Sequence, residues 1–414
     1  MKKFLHYTFC LLPLIAGCAQ NMERRLDDIR DDFKTSKFEK QKIGDRNLDP
    51  LLSGNALFQQ DEFYESDAVF EEINKRMADA QGTSITGEVG KALTGQMAGS
   101  YKPYFMDDLF VSYYQIWAAL AKGRNADARV IINQSYAKQQ RLSQEYASLI
   151  KSREKDNNGL GSQLRGENAQ WKSFNDIMNP ALTYLAGIYF LNFATGASDY
   201  ETARTYLSRA AGMAPNVKFI EDDIALARAN KQPNGIVWIF VESGFAPKLK
   251  ERRIDWPMFV GNSIRSVSIA TSEPVFISDS PRIDDTYVLA DIDAMFITEY
   301  KEYQINAALR ALASAASKVA LQSVAQNQLG PLGGLGAVVY SIATTSAEVR
   351  TWATLPKRIY VKRINKGVNN ETLIELKSGG RVVSEIRLPK DGNNLIYFRW
   401  LGKDAKTKII KLKG

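Results

Sequence analysis

The chain has 414 residues, 45% of them hydrophobic and 24% charged, with a formal net charge of +8; that is room for two or three domains of ordinary globular composition. Its one histidine, His6, and one of its two cysteines, Cys10, sit in the first few residues, before Cys18. If that opening stretch is removed, no histidine and a single thiol remain. This excludes His/Cys zinc sites, cysteine and Ser-His-Asp nucleophile arrangements and internal disulfides, leaving Asp, Glu, Lys, Tyr and Ser for chemistry.

The chain opens with Lys2 and Lys3, the apolar stretch Phe4 to Ile15, and then Ile15-Ala16-Gly17-Cys18. A basic start, an apolar run and small residues before a cleavage point predict a secretory signal. The run is shorter than the ~20 residues a spanning helix needs. Small residues leading into a cysteine resemble a bacterial lipobox. The resemblance implies cleavage between Gly17 and Cys18 and acyl chains, palmitate among them, carried by Cys18. Several chains make a lasting anchor, since each buried methylene adds roughly 0.8 kcal/mol. The alternative is a plain secretory signal or a short membrane anchor. Ala19, rather than Asp, follows the cysteine. This is similar to the outer-membrane sorting pattern of enterobacterial lipoproteins and implies an outer-membrane protein facing the periplasm. Nucleic acid is not an expected partner there, and a domain without spare thiols suits an oxidising compartment. Losing Lys2 and Lys3 leaves an excess of about +6. Solubility accounts for it, with attraction to anionic headgroups or other polyanions as the alternative.

The domains expected are a signal peptide over 1–17, a charged tether over 18–47, a helical repeat domain over 48–232 and a β-rich α+β domain over 233–414. The fold class expected is therefore multidomain, α plus α+β. The tether reading rests on the density of charge from Glu23 to Asp32, with at most a solvated helix. From Leu51 the apolar residues take helical spacing. Gly54-Asn55-Ala56-Leu57 followed by Phe63, Ser66, Phe70 and Ile73 predicts two short helices. The small and large residues resemble a tetratricopeptide repeat, with Ser66 where Ala is usual. Gly187, Phe190, Tyr200, Ala203, Leu207, Ala210 and Pro215 repeat that spacing with about four extra residues between 194 and 199. A third pair lies between them: Tyr113, Tyr114, Trp117 and Leu120, a turn at Gly123-Arg124-Asn125, then Ala128, Ile131 and Ile132. Val217 to Ala229 predicts a further, capping helix. Loops are expected at Gly82–Tyr101 and Ser152–Asn168, read as insertions or as functional segments.

Near Gly235 the pattern changes. Ile236-Val237-Trp238-Ile239-Phe240-Val241 predicts a buried strand. Further strands are expected over Ser263–Ala270, Glu273–Ile277, Arg358–Arg363, Glu371–Lys377, Arg381–Arg387, Asn394–Trp400 and Thr407–Leu412. Asn369-Asn370, Gly379-Gly380 and Asp391-Gly392 mark turns. Helices are expected over Glu299–Gln326 and Ala337–Thr351.

Within this half, Glu242-Ser243-Gly244 resembles a strand-to-turn nucleophile, with Lys248 or Lys250 as conceivable bases. The first glycine of that motif is missing, and a loop closing the strand is the simpler reading. Lys248, Lys250, Arg252 and Arg253 read as a surface rim that suits a phosphate or carboxylate. Gly330 to Gly336 has the glycines but not the Gly-Lys-Ser/Thr ending of a phosphate loop. It reads as a turn between helices, or as part of an uncharged membrane-seeking stretch. Asp284, Asp285, Asp291 and Asp293 read as turn and strand-end charges, since the frame of a calcium loop is absent. Lysines on the last strand, Lys406 to Lys413, suit an edge strand or an anionic surface.

The chain as a whole resembles a family of Gram-negative outer-membrane lipoproteins with tetratricopeptide-like repeats and a C-terminal β-rich domain. Four stretches carry this: Ile15 to Cys18, Tyr113 to Arg129, Val241-Glu242-Ser243-Gly244 with Pro247, and Ala347 to Pro356. The resemblance supplies no catalytic residues. The function expected is a non-enzymatic scaffold with no cofactor and no metal. It would be held to the membrane by its acyl chains and bind an envelope protein in a groove lined by Tyr113, Gln115 and Tyr189. The alternatives are a carboxylate-dependent enzyme acting on the cell wall, which requires two carboxyl groups in one cleft, and a lipid-handling protein using Leu309 to Tyr340.

Overall fold

The computed structural model describes residues 18–38, 42–80, 99–154, 178–260, 263–278, 281–300, 346–366, 372–389 and 391–412. The leader with Gly17, Gly330–Gly336, Leu309–Tyr340, Asn369-Asn370, the helical expectation for 301–345 and most of the two long loops lie outside these residues. The described elements place the chain in the α plus α+β class.

The segment expected as a tether begins with a packed helix, α1 (Cys18–Lys34). Ala19, Leu26, Ile29 and Phe33 are buried, with Met22 packed beside them. They recur every three or four residues, the spacing of a helix that seats one stripe on a core. Most of the charges that suggested a tether occupy the other face, while Arg30 is buried and donates to Asp27 at 2.9 Å. α1 is fastened to the start of the second strand described below: Lys248 Nζ meets Asp27 at 2.6 Å, and the Glu251 N–H donates to Glu23 at 2.8 Å.

Six helices then form three consecutive pairs: α2 (Leu48–Gln59) with α3 (Phe63–Ala80), α4 (Phe105–Ala121) with α5 (Asn125–Glu154), and α6 (Pro180–Asn192) with α7 (Ala197–Met213). α8 (Ile220–Arg228) packs on α7. In the first and third pairs a glycine on the first helix faces a large side chain on the second. A Cβ on Gly54 would lie 2.5 Å from the Phe70 ring, and one on Gly187 would lie 2.7 Å from Leu207. The missing side chain sets how closely the helices approach. Ser66, also on that crossing, is buried and donates its hydroxyl to the Gly54 carbonyl at 2.8 Å.

The C-terminal half is built on a five-stranded sheet of order β4-β5-β1-β8-β9. Its strands are β1 (Ile236–Ser243), β4 (Tyr287–Asp291), β5 (Arg358–Asn365), β8 (Asn393–Trp400) and β9 (Ala405–Leu412). β1 and β8 are parallel, and the other neighbours are antiparallel. Both faces of the centre are covered. Trp238, Phe240, Leu395 and Tyr397 join the helices in one core. Val237, Ile239, Val241, Ile396 and Phe398 pack under the hairpin β6 (Thr372–Ser378) and β7 (Arg381–Leu388). A strand covered on both faces reads as an unbroken apolar run, as β1 does.

Two expectations for this half change. The basic run from Lys248 lies on a strand, with Lys250, Arg252 and Arg253 exposed: β2 (Lys248–Val260) pairs over its whole length with β3 (Ser263–Val275), which fuses two expected strands into one. A strand's alternation, Lys-Leu-Lys, is hidden there by the charge density. A helix over 292–300 starts before Glu299, and residues 346–351 are not helical. In that stretch Arg350 and Glu348 pair two residues apart at 2.5 Å, while Ala347 and Val349 are fully buried. No helical face would bury that set together.

Candidate functional site

Three of the stretches singled out in the sequence converge on one buried ion pair. Glu242 on β1 stands directly opposite Arg399 on β8, on the helix-facing side of the sheet. Arg399 donates to Glu242 at 2.8 Å and to the carbonyls of Gly244 and Thr354, each at 3.1 Å. Tyr114 of α4 and Tyr397 of β8 donate their hydroxyls to the same Glu242 oxygen at 3.1 and 2.8 Å. Gln59 of α2 donates to Tyr397 at 2.7 Å. Helix, sheet and the Ala347–Pro356 strap are thus tied at one point. Burial raises the Glu242 pKa, opposed by the Arg399 charge and these hydrogen bonds. Glu242 and Arg399 are both buried, and Phe58 and Trp117 pack on Tyr397 beside them, so the pair fastens helix to sheet.

A second fastening joins α8 to the sheet. Asp223 accepts from Tyr184 at 2.6 Å, Trp238 at 2.9 Å and Arg363 at 2.9 Å. A third clamps Asp45, which accepts from the Leu48 N–H at 2.9 Å, the Tyr101 N–H at 2.8 Å and Arg350 at 2.5 Å.

The expected groove does not form around the residues named for it. Tyr113 is fully buried, edge-on to Tyr114 and Trp117. Gln115 bridges α4 to α3, donating to Asp67 at 3.1 Å and accepting from Asn74 at 2.7 Å. Tyr189 donates to the Asn125 carbonyl at 2.7 Å. All three lie in helix-to-helix seams because α4 and α6 are inner helices, covered by their partners and by the sheet. Ser243 is likewise occupied, its hydroxyl donating to the Pro281 carbonyl. Lys248 is engaged by Asp27.

The four aspartates do not act together. Asp284 accepts the N–H groups of Gly379 and Gly380 at the β6–β7 turn at 3.0 and 2.8 Å. Asp285 faces Lys362 at 3.5 Å, Asp291 faces Arg358 at 3.0 Å, and Asp293 pairs with Lys357. Among the described residues no group of three or more His, Cys, Asp or Glu is gathered as metal ligands. Cys18 is the first residue of α1. No described helix is long and apolar enough to cross a membrane.

One buried pair of carboxyls was not foreseen. Glu299 caps α4, accepting the N–H groups of Phe105 and, at 3.1 Å, Met106. Beside it Asp107 accepts from the Tyr101 hydroxyl at 2.7 Å and the Tyr104 N–H at 2.9 Å. Burial, outweighing these hydrogen bonds, pushes Glu299 up to about 8 and Asp107 up to about 7. Both contributions to stability are whole below the ordinary carboxyl range. They drain away as pH rises toward the folded values, because the unfolded chain gives up protons that the folded chain retains. Glu299→Gln is therefore expected to flatten the fall in urea midpoint between about pH 5 and pH 8. An unchanged slope would show that Glu299 does not titrate in that window.

The surface offers a polar cleft of about 480 Å³ where the helices meet the sheet. It is lined by Asp222 of α8, the connection Lys231 to Gly235, and Arg363, Asn365 and Lys366 at the end of β5. Lys231 and Asn234 are exposed there. Cations outnumber carboxylates in its lining, which suits a carboxylate-bearing peptide segment. No protein-family model, curated protein or solved structure matches the chain.

Proposed function

We propose that the protein is a lipid-anchored scaffold of the Gram-negative envelope. Acyl chains on Cys18 hold it to the periplasmic face of the outer membrane, and tetratricopeptide-like helix pairs carry α8 and the adjoining cleft that meets an envelope protein. The observation that carries this reading is the recurrence of one contact, glycine on the first helix against a large residue on the second, in the first and third pairs. Helix pairs built alike are how repeat proteins make an extended binding surface. The fastenings at Glu242, Asp223 and Asp45 support it further, because they hold the helices rigidly on the sheet. The partner site is the cleft bordered by Lys231, Asn234 and Lys366, in place of the expected groove.

A photoreactive amino acid at Asn234, introduced in living cells, tests this. The expected result is one adduct of defined mass, weakened when Lys231 and Lys366 are changed to Glu. No adduct from Asn234 or from its neighbours in the cleft would overturn the assignment. Cys18→Ser should release the protein from the membrane fraction, and retention there would overturn the anchor.

A further inference from the structure

The last residues of β5 border the cleft, and there the strand has a neighbour on one side only. Backbone groups along a strand turn alternately to its two sides. The Lys366 N–H donates to the Gly235 carbonyl at 2.7 Å, and Ile236 stands opposite Asn365. Counting back from that bond, Ile364 and Lys362 turn their N–H and C=O groups toward β1, whereas Asn365, Arg363 and Val361 turn theirs away from it. Val361 meets Tyr287, where β4 begins. The chain before Tyr287 leaves the edge. It turns at Asp285, which has φ 56°, and Asp284 is held by the N–H groups of Gly379 and Gly380 at the β6–β7 turn. Among the described residues nothing pairs with the outward backbone groups of Arg363 and Asn365.

The two sides of this open edge differ in chemistry. On the helix side Arg363 is engaged: its Nε donates to Asp223 at 2.9 Å and its Nη1 to Asn365 at 2.9 Å. The wall beside it is α8, which shows the cleft Asp222, Ala225 and Leu226, three and four residues apart. Ala225 is exposed and Leu226 half-buried. On the hairpin side Lys362 and Lys366 flank Ile364, which packs with the core under β6 and β7. Lys366 donates to the carbonyls of Pro389 and Gly392 at 2.9 and 2.8 Å, and it forms no ion pair among the described residues. Lys362 faces Asp285 at 3.5 Å, a carboxylate 87% exposed to water.

We infer that the cleft takes its partner by strand addition: an extended segment of the envelope protein, alternating small apolar residues with Asp or Glu, pairs with the outward backbone groups of Arg363 and Asn365. The inference rests on the cleft being the partner site. In this mode main-chain hydrogen bonds supply affinity, and alternate side chains supply selection. Partner residues opposite Arg363 and Asn365 place their side chains on the helix side, beside Ala225 and Leu226. The residue between them, opposite Ile364, places its side chain on the hairpin side, diagonal to Lys362 and Lys366 and within reach of both. A carboxylate there meets two cations. The same lysines turn away a second copy of this chain, since edge-to-edge pairing of two β5 strands sets like charges together.

Peptide binding tests this on the full-length protein in mild detergent. The probe is a fluorescein-labelled peptide of alternating valine and glutamate, read by anisotropy. Methylating its valine nitrogens, which face Arg363 and Asn365, should weaken binding several-fold. Methylating its glutamate nitrogens, which face away from β5, should leave binding unchanged. A peptide with lysine for glutamate should bind several-fold more weakly, and Lys362→Glu with Lys366→Glu should reverse that preference. Asn365→Pro removes one outward N–H that the β1–β5 ladder does not use. It should weaken the acidic peptide several-fold at an unchanged urea midpoint. Equal loss from both methylations, or no binding by any peptide, would overturn strand addition. The cleft would still stand as the partner site if Asn234 gives its adduct in cells, and without that adduct both readings fall. A dimer that Asn365→Pro dissociates would assign the edge to a second copy and overturn the inference.

Discussion

Arg399→Met is expected to be the most damaging single change, costing about 3–5 kcal/mol of folding stability because it strands Glu242 as an uncompensated buried charge. Glu242 is fully buried, and its remaining donors, Tyr114 and Tyr397, are neutral hydroxyls that cannot replace a guanidinium. The loss extends beyond the pair. Arg399 also holds the carbonyls of Gly244 and Thr354, so the β1 turn and the 346–356 strap loosen together. The double variant Glu242→Met with Arg399→Met should recover part of this, since apolar groups filling a buried pair are often tolerated. Recovery stays incomplete because the two tyrosines lose their acceptor. Urea midpoints of the two single variants and the double variant, closed as a cycle, measure it. Arg399→Met within 1 kcal/mol of the parent would contradict the fastening role.

The second large effect is one of sign. Helix propensity alone favours alanine over glycine by about 1 kcal/mol. Gly54→Ala and Gly187→Ala should nonetheless destabilise, because overpacking costs about 1–3 kcal/mol. At Gly54 the new Cβ meets three atoms of the Phe70 ring between 2.5 and 2.9 Å, and that ring is itself held against Tyr114 and Trp352. At Gly187 it meets Leu207, including the backbone nitrogen at 3.2 Å, so the helices must part. Gly212, also in a helix, has nothing within 4 Å, and Gly212→Ala should gain up to about 1 kcal/mol. Thermal unfolding of the three variants checks the contrast. Stabilisation by all three would show that the crossings are slack.

The same physics explains which expectations the structure met. The helix pairs and most strands followed from local periodicity, since a face that must be buried repeats at the pitch of its own element. The run of β1 was readable because a strand covered on both faces has no polar alternation. The tether segment admits a solvated helix, but that α1 packs on the core is masked in the sequence, although Ala19, Met22, Leu26, Ile29 and Phe33 carry its stripe, because charge is dense along the same residues. Arg399 gave one faint signal, the lone charge in the strand Asn393–Trp400. Glu299 gave none, since its meaning comes from α4, which lies almost two hundred residues earlier in the chain.

The sequence by itself determined most helices of the first half and most strands of the second, the switch between them near Gly235, the small-against-large spacing of two helix pairs and the leader-like approach to Cys18. Each is set by neighbours a few residues apart. Tertiary structure decided the rest: that helices and sheet share one core, that Tyr113, Gln115 and Tyr189 are consumed in it, that Glu242 finds Arg399, and that α1 lies along β2. These depend on groups distant in sequence competing for the same buried space. Which carboxylate meets which cation there is decided by packing, not by any local pattern.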